Sequence, residues 1–108
     1  MQTPHGDAMT KVKVHLGEGR YFLTAEDHAT GSEQVCAAVS AITLTLLGYV
    51  LNLEQMGQAE ICGKRAESGL FQLNAKGGEK CRAAFEMAVQ GLLQLEGSFP
   101  QYISVKNK

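Results

Sequence analysis

The sequence predicts an α+β domain of two layers, one sheet with two helices packed on it, with elements in the order ββαββαβ. Three observations carry this prediction. Residues 10–16 alternate apolar and polar, and a glycine turn joins them to a second strand-like run. A long apolar repeat at spacings of three and four follows over 35–53. A second strand pair and a second helical repeat then complete the pattern, with a short strand-like run near the end.

The elements follow in order. Residues 1–8 contain Pro4, Gly6 and Asp7 without periodicity and read as a flexible leader, so a single domain is expected over 9–108. From Thr10 to Leu16, Val12, Val14 and Leu16 point to one face and Lys11, Lys13 and His15 to the other. Gly17-Glu18-Gly19 is a turn, and Arg20 to Ala25 is aromatic and β-branched, which makes a hairpin. Glu26 to Gln34 is polar and reads as a loop ending in a helix start, with Ser32 or Glu33 at the cap. Val35, Val39, Ile42, Leu46, Val50 and Leu53 then form the core stripe of an amphipathic helix. Gln58 to Arg65 and Leu70 to Asn74 read as a second strand pair turning at Ala66-Glu67-Ser68-Gly69. Behind Gly77-Gly78, a second helix over Glu79 to Glu96 buries Phe85, Ala88, Val89, Leu92 and Leu95. Pro100 ends the helical register, and Tyr102, Ile103 and Val105 form a last short strand.

Composition bounds the function. The chain has 108 residues, 44% hydrophobic and 19% charged, with net charge −1. Those values are those of a soluble globular domain, and nothing in the net charge suggests a grip on nucleic acid or an anionic membrane. Direct nucleic-acid contact is not expected, and neither is a membrane. The longest nearly apolar stretch, Cys36 to Leu53, is interrupted by Ser40, Thr43, Thr45, Gly48 and Asn52. Three cysteines, Cys36, Cys62 and Cys81, cannot all pair within one chain and match no zinc spacing. No metal and no cofactor are expected. Residues 1–9 lack the apolar core of a signal peptide, and with free thiols this places the chain in a reducing cytoplasm.

The chemistry centres on Cys36. It falls in the first turn of the first helix, behind a loop that holds His28. A thiolate there is favoured by the amides and dipole of the helix N-terminus, and a neighbouring imidazolium favours it further. The first-turn amides, that of Cys36 included, are candidate oxyanion donors. On spacing alone, however, the stronger reading is that Cys36 is a small buried helix residue and His28 a surface histidine of the loop, since cysteine is among the most buried types. Cys62 in a strand and Cys81 near a helix start read as packing residues. His15 lies on the polar face of the first strand, His5 in the leader, and Gly77-Gly78 lacks the rest of any phosphate loop.

A resemblance sharpens this reading. Val35-Cys36-Ala37-Ala38-Val39-Ser40-Ala41-Ile42, preceded by His28-Ala29 and Gly31, resembles the signature of the ribosomal-processing cysteine protease (Prp) family. There a Gly-His-Ala loop leads into Gly-x-Asp-x-Val-Cys-Ala-Ala-Val-Ser. Met9-Thr10-Lys11-Val12 is similar to the family's opening strand, and Phe99 to Val105 to its closing Tyr-Pro-x-Tyr-Val-x-Val. The sequence departs from the pattern in three places. Asp27 stands for glycine, Glu33 for aspartate, and the loop from His28 to Cys36 is shorter. The resemblance implies a homodimeric cysteine endopeptidase that removes the N-terminal extension of a large-subunit ribosomal protein precursor. Cys36 would be the nucleophile and His28 the general base. Ser40 is the motif serine, or else a helix-face hydroxyl bonded to a carbonyl one turn back. Glu33 is a carboxylate placed to orient His28 or to close a capping box, or equally a solvated first-turn acid that favours the helix dipole. Two other readings keep the same thiol: a diverged homologue that binds peptides without cutting them, and a redox protein using Cys36.

Overall fold

The computed structural model describes residues 9–26, 32–67 and 69–107. The leader expected over residues 1–8 lies outside the described residues, as does His28. The chain forms β1 (Thr10–Leu16), β2 (Arg20–Glu26), α1 (Glu33–Gln55), β3 (Ala59–Glu67), β4 (Leu70–Gly77), α2 (Glu79–Ser98) and β5 (Ile103–Asn107). This is the ββαββαβ order read from the sequence. The strands make one five-stranded sheet in the order β3-β4-β2-β1-β5. Among the described residues, β1 pairs with β5 in parallel, and the other three pairings are antiparallel.

Alternation explains the strands. In β1, Val12 and Val14 are buried while Lys11, Lys13 and His15 are exposed, so one face of the sheet takes the core. The first hairpin closes through Gly17 N donating to Arg20 O at 2.9 Å, with Gly19 at φ 79°. That positive φ is what a glycine after a tight turn supplies at little cost. The second hairpin is longer than the sequence suggested. β3 runs on through Ala66 and Glu67, which pair with Phe71 and Leu70, because Gly69 at φ 80° makes the turn tighter than a four-residue loop.

The helices bury most of the stripes that their spacing set: α1 exchanges one residue, and α2 gains one and leaves two at its margin. In α1 the buried set is Val35, Val39, Thr43, Leu46, Val50 and Leu53, and Ile42 is only partly covered. Thr43 takes the core position because its Oγ1 donates to Val39 O at 2.9 Å, so its hydroxyl is satisfied within the helix and its methyl is free to pack. Ile42 instead meets α2 at Gly91, where an added Cβ would stand 3.1 Å from Ile42 Cδ1. In α2 the buried set is Cys81, Phe85, Ala88 and Leu92, while Val89 and Leu95 pack at its margin. Phe85 stacks on Tyr21 of β2 with ring centroids 5.5 Å apart, joining α2 to the sheet.

By length and composition α1 is apolar enough to cross a bilayer, with mean hydropathy 1.8 over its most apolar window. Its buried stripe nevertheless lies on the sheet, a packing that a lipid-spanning orientation would forfeit.

Candidate active site

α1 begins where the polar loop ends because Ser32 caps it. Ser32 is extended, and its Oγ accepts from Val35 N at 3.3 Å. The first intrahelical bond runs from Cys36 N to Ser32 O at 2.9 Å. This corrects one expectation: the Cys36 amide is committed to the helix, so it is not an oxyanion donor. The amides of Glu33 and Gln34 precede that bond and remain the donors at this helix end. Glu33 occupies the first helical position and is exposed. A capping box would need its acid at Val35, so Glu33 closes none; as a first-turn acid it favours the helix dipole.

Cys36 is half-buried and in no disulfide. Spacings of three and four place Glu33, Cys36 and Ser40 on one flank of α1. Glu54 marks the far end of α1, where its Oε2 accepts from Ile61 N of β3 at 2.9 Å. Ser40 is half-buried, and its carbonyl accepts from Thr43 Oγ1 at 3.3 Å. The Thr43 hydroxyl bonds back one turn along the helix, to Val39 O at 2.9 Å.

The other thiols differ. Cys81 is wholly buried, as expected of a packing residue, and burial pushes its thiol pKa up. Cys62 is not a packing residue. It is exposed at the bulge where the β3–β4 register shifts between Ile61 and Gly63. A bulge has no signature in the alternation, so nothing in the sequence marked it. Among the described residues, no cluster of His, Cys, Asp or Glu is suited to hold a metal. The described residues form concavities near Gly57–Glu60 and Lys76–Lys80 and between α1 and α2 at Tyr49 and Met87. Cys36 lines neither.

Solved structures share this fold. Over 93% of this chain, the S. aureus ribosomal processing protease Prp with a covalently linked product peptide superposes with TM-score 0.72 at 18% identity, covering 100% of that chain. The same protease with a substrate peptide gives TM-score 0.65 at 16% identity, covering 93% of this chain and 100% of that one. SMU.848 from Streptococcus mutans gives 0.68 at 21% identity, covering 93% and 94%. No curated protein matches the sequence. Fold, thiol and sequence together define the class: a cysteine protease, a hydrolase that works through a thiol. The chain belongs to the family described as cysteine protease Prp, whose model matches residues 9–104.

Proposed function

We propose that this chain removes the N-terminal extension of a large-subunit ribosomal protein precursor, with Cys36 as nucleophile and His28 as general base. The observation that carries the proposal is the family match over residues 9–104, which includes a half-buried thiol in the first turn of a capped helix. In the first step the Cys36 thiolate attacks the scissile carbonyl carbon, and the carbonyl oxygen takes up the negative charge. The Glu33 and Gln34 amides at the helix end are the donors on this chain suited to that oxyanion. Collapse of the adduct breaks the C–N bond, and the imidazolium gives its proton to the leaving amine. Water activated by the imidazole then hydrolyses the thioester and regenerates the thiol. Glu33 is assigned to orient His28, and Ser40 to support the thiol from one turn along α1.

The covalently linked product peptide of the S. aureus relative supports a covalent route for this chain. Three thiols outside any disulfide are in keeping with a reducing, cytoplasmic setting. A homodimer is part of the proposal. The helical layer offers apolar surface for a second copy, since Leu44, Tyr49 and Met87 are exposed there and residues 34–53 carry no charged side chain. Sedimentation velocity across protein concentration tests the pair.

The decisive experiment incubates the protein with the precursor and reads product masses. Cleavage by the parent, lost in Cys36→Ala and in His28→Ala, is the expected result. If His28→Ala cuts as fast as the parent, the imidazole is not the base. Binding without cleavage by the parent identifies a diverged peptide binder. Turnover of peroxide with a thiol reductant, dependent on Cys36, identifies redox chemistry instead.

A further inference from the structure

The two faces of the sheet carry different chemistry. α1 and α2 cover one face, and strand register fixes what the other presents. At its centre lie Phe22 and Thr24 of β2 beside Asn74 and Gln72 of β4, with His15 of β1 across from Phe22. None of these five carries a fixed charge. Around them stand Lys13 and Lys106 on one side, Arg20 and Lys76 at one end, and Arg65 on the other side. All five cations are exposed. Across these rows the single facing carboxylate is Glu60, opposite Lys76; Glu26 and Glu67 sit in the next row, where Glu67 pairs with Arg65 at 2.7 Å. The net charge of −1 therefore averages a basic sheet face with a more acidic remainder. Charge read over the whole chain, which predicted no contact with nucleic acid, does not describe this face.

A second observation falls in the same place. Thr24 Oγ1 and Asn74 Oδ1 are buried and make no hydrogen bond. A buried polar atom without a partner is costly, so a ligand that moves the side chains covering Thr24 and Asn74 and brings donors to these two atoms relieves that cost.

We propose that the open face of the sheet binds single-stranded nucleic acid. Lys13, Lys106, Arg20 and Lys76 would take phosphates, the rows that hold them being roughly 13 Å apart. The half-buried Phe22 ring offers a base a stacking surface, with the His15 imidazole next to it in the register. The amides of Asn74 and Gln72 stand beside that ring, placed to hydrogen-bond base edges. A second copy of the same face is disfavoured because the like-charged rims would meet. An acidic peptide would satisfy the rim and leave the aromatic centre without a use.

The test uses the full-length chain carrying Cys36→Ala, so that binding is read apart from cleavage. Fluorescence anisotropy follows labelled single-stranded RNA and DNA of about 12 nucleotides, and a polyglutamate peptide, as salt is raised. Binding of RNA or DNA is expected, weakening as salt rises. Phe22→Leu, which keeps an apolar side chain at a half-buried site, weakens it by about tenfold. Lys13→Glu with Arg20→Glu, both on exposed positions, lowers the slope of log affinity against log salt by about two. Two results overturn the proposal. One is the absence of nucleic-acid binding at low salt. The other is equal binding of polyglutamate with no effect of Phe22→Leu, which would mark a generic cationic surface.

Discussion

Gly77 sits where β4 hands over to α2, and its replacement by alanine tests how tightly the two layers are joined. Gly77 N donates to Gly19 O at 3.1 Å, and Gly77 O accepts from Tyr21 OH at 3.3 Å. A Cβ built there would stand 2.5 Å from Cys81 Cβ, 3.0 Å from Cys81 Sγ and 3.2 Å from Gln58 O. The first contact is with an atom fixed to the helix backbone, so no rotamer change relieves it. α2 or the end of β4 must move by about 1 Å, in a core where packing resists such shifts. Gly77 has no positive φ, so the cost is steric and not conformational. Overpacking of this kind costs about 1–3 kcal/mol. At about 4–8 °C for each kcal/mol in a domain of this size, Tm should fall by roughly 8–16 °C for the middle of that range. Urea and thermal melts followed by circular dichroism read the loss. Cys81→Ala removes Sγ but keeps Cβ, so in the double variant it should restore only a minor part. If Gly77→Ala melts within 2 °C of the parent, or if Cys81→Ala rescues it fully, the reasoning about the fixed Cβ is wrong.

Three further substitutions probe the helices and the core. Gly48 lies inside α1 with nothing within 4 Å of an added Cβ, so Gly48→Ala should stabilise by about 0.5–1 kcal/mol, read as a higher urea midpoint. Ser32→Ala should cost about 0.5–1 kcal/mol, because the cap bond it removes is a long one at 3.3 Å, and Ser32→Asp should restore it; an unchanged melt would show that the cap contributes nothing. Burial raises the Cys81 pKa above its unfolded value, so the native thiol keeps its proton at a pH where the unfolded chain releases it. Stability is then fully present below about pH 8.5 and falls as pH rises beyond it, and Cys81→Ala should flatten that decline in urea melts between pH 7.5 and 9.5.

Much of this was legible in the sequence, for definite reasons. The repeats of α1 and α2 and the alternation of β1 set the layers, because periodicity alone decides which side of an element meets the core. It does not decide between neighbours on one side, and so Thr43 displaced Ile42 through a hydrogen bond that no pattern reveals. Alternation marks a strand without naming its partner, and the parallel pairing of β5 with β1 emerged only in the fold. Cys36 was singled out by its octapeptide, whereas the bond from its amide to Ser32 became visible only in the fold. The exposure of Cys62 followed from a bulge, which one extra residue creates without disturbing composition.

The pairing of β1 with β5 also governs the order in which the molecule can be completed. Thr10 pairs with Ile103 and Val14 with Asn107, so nearly the whole sequence separates the two halves of that ladder. Until Ile103 to Asn107 are in place, β1 has a neighbour only on its β2 side. A chain growing from its N-terminus would hold the first hairpin with one row of backbone groups unmatched through the synthesis of everything that follows. Such distant pairing slows folding, because the loop must close before the contact rewards it. A chain cut before Ile103 would leave the β1 edge, with Val12 and Val14 beside it, open to other chains. Truncations at the C-terminal end should accordingly fail by aggregating and not by loosening.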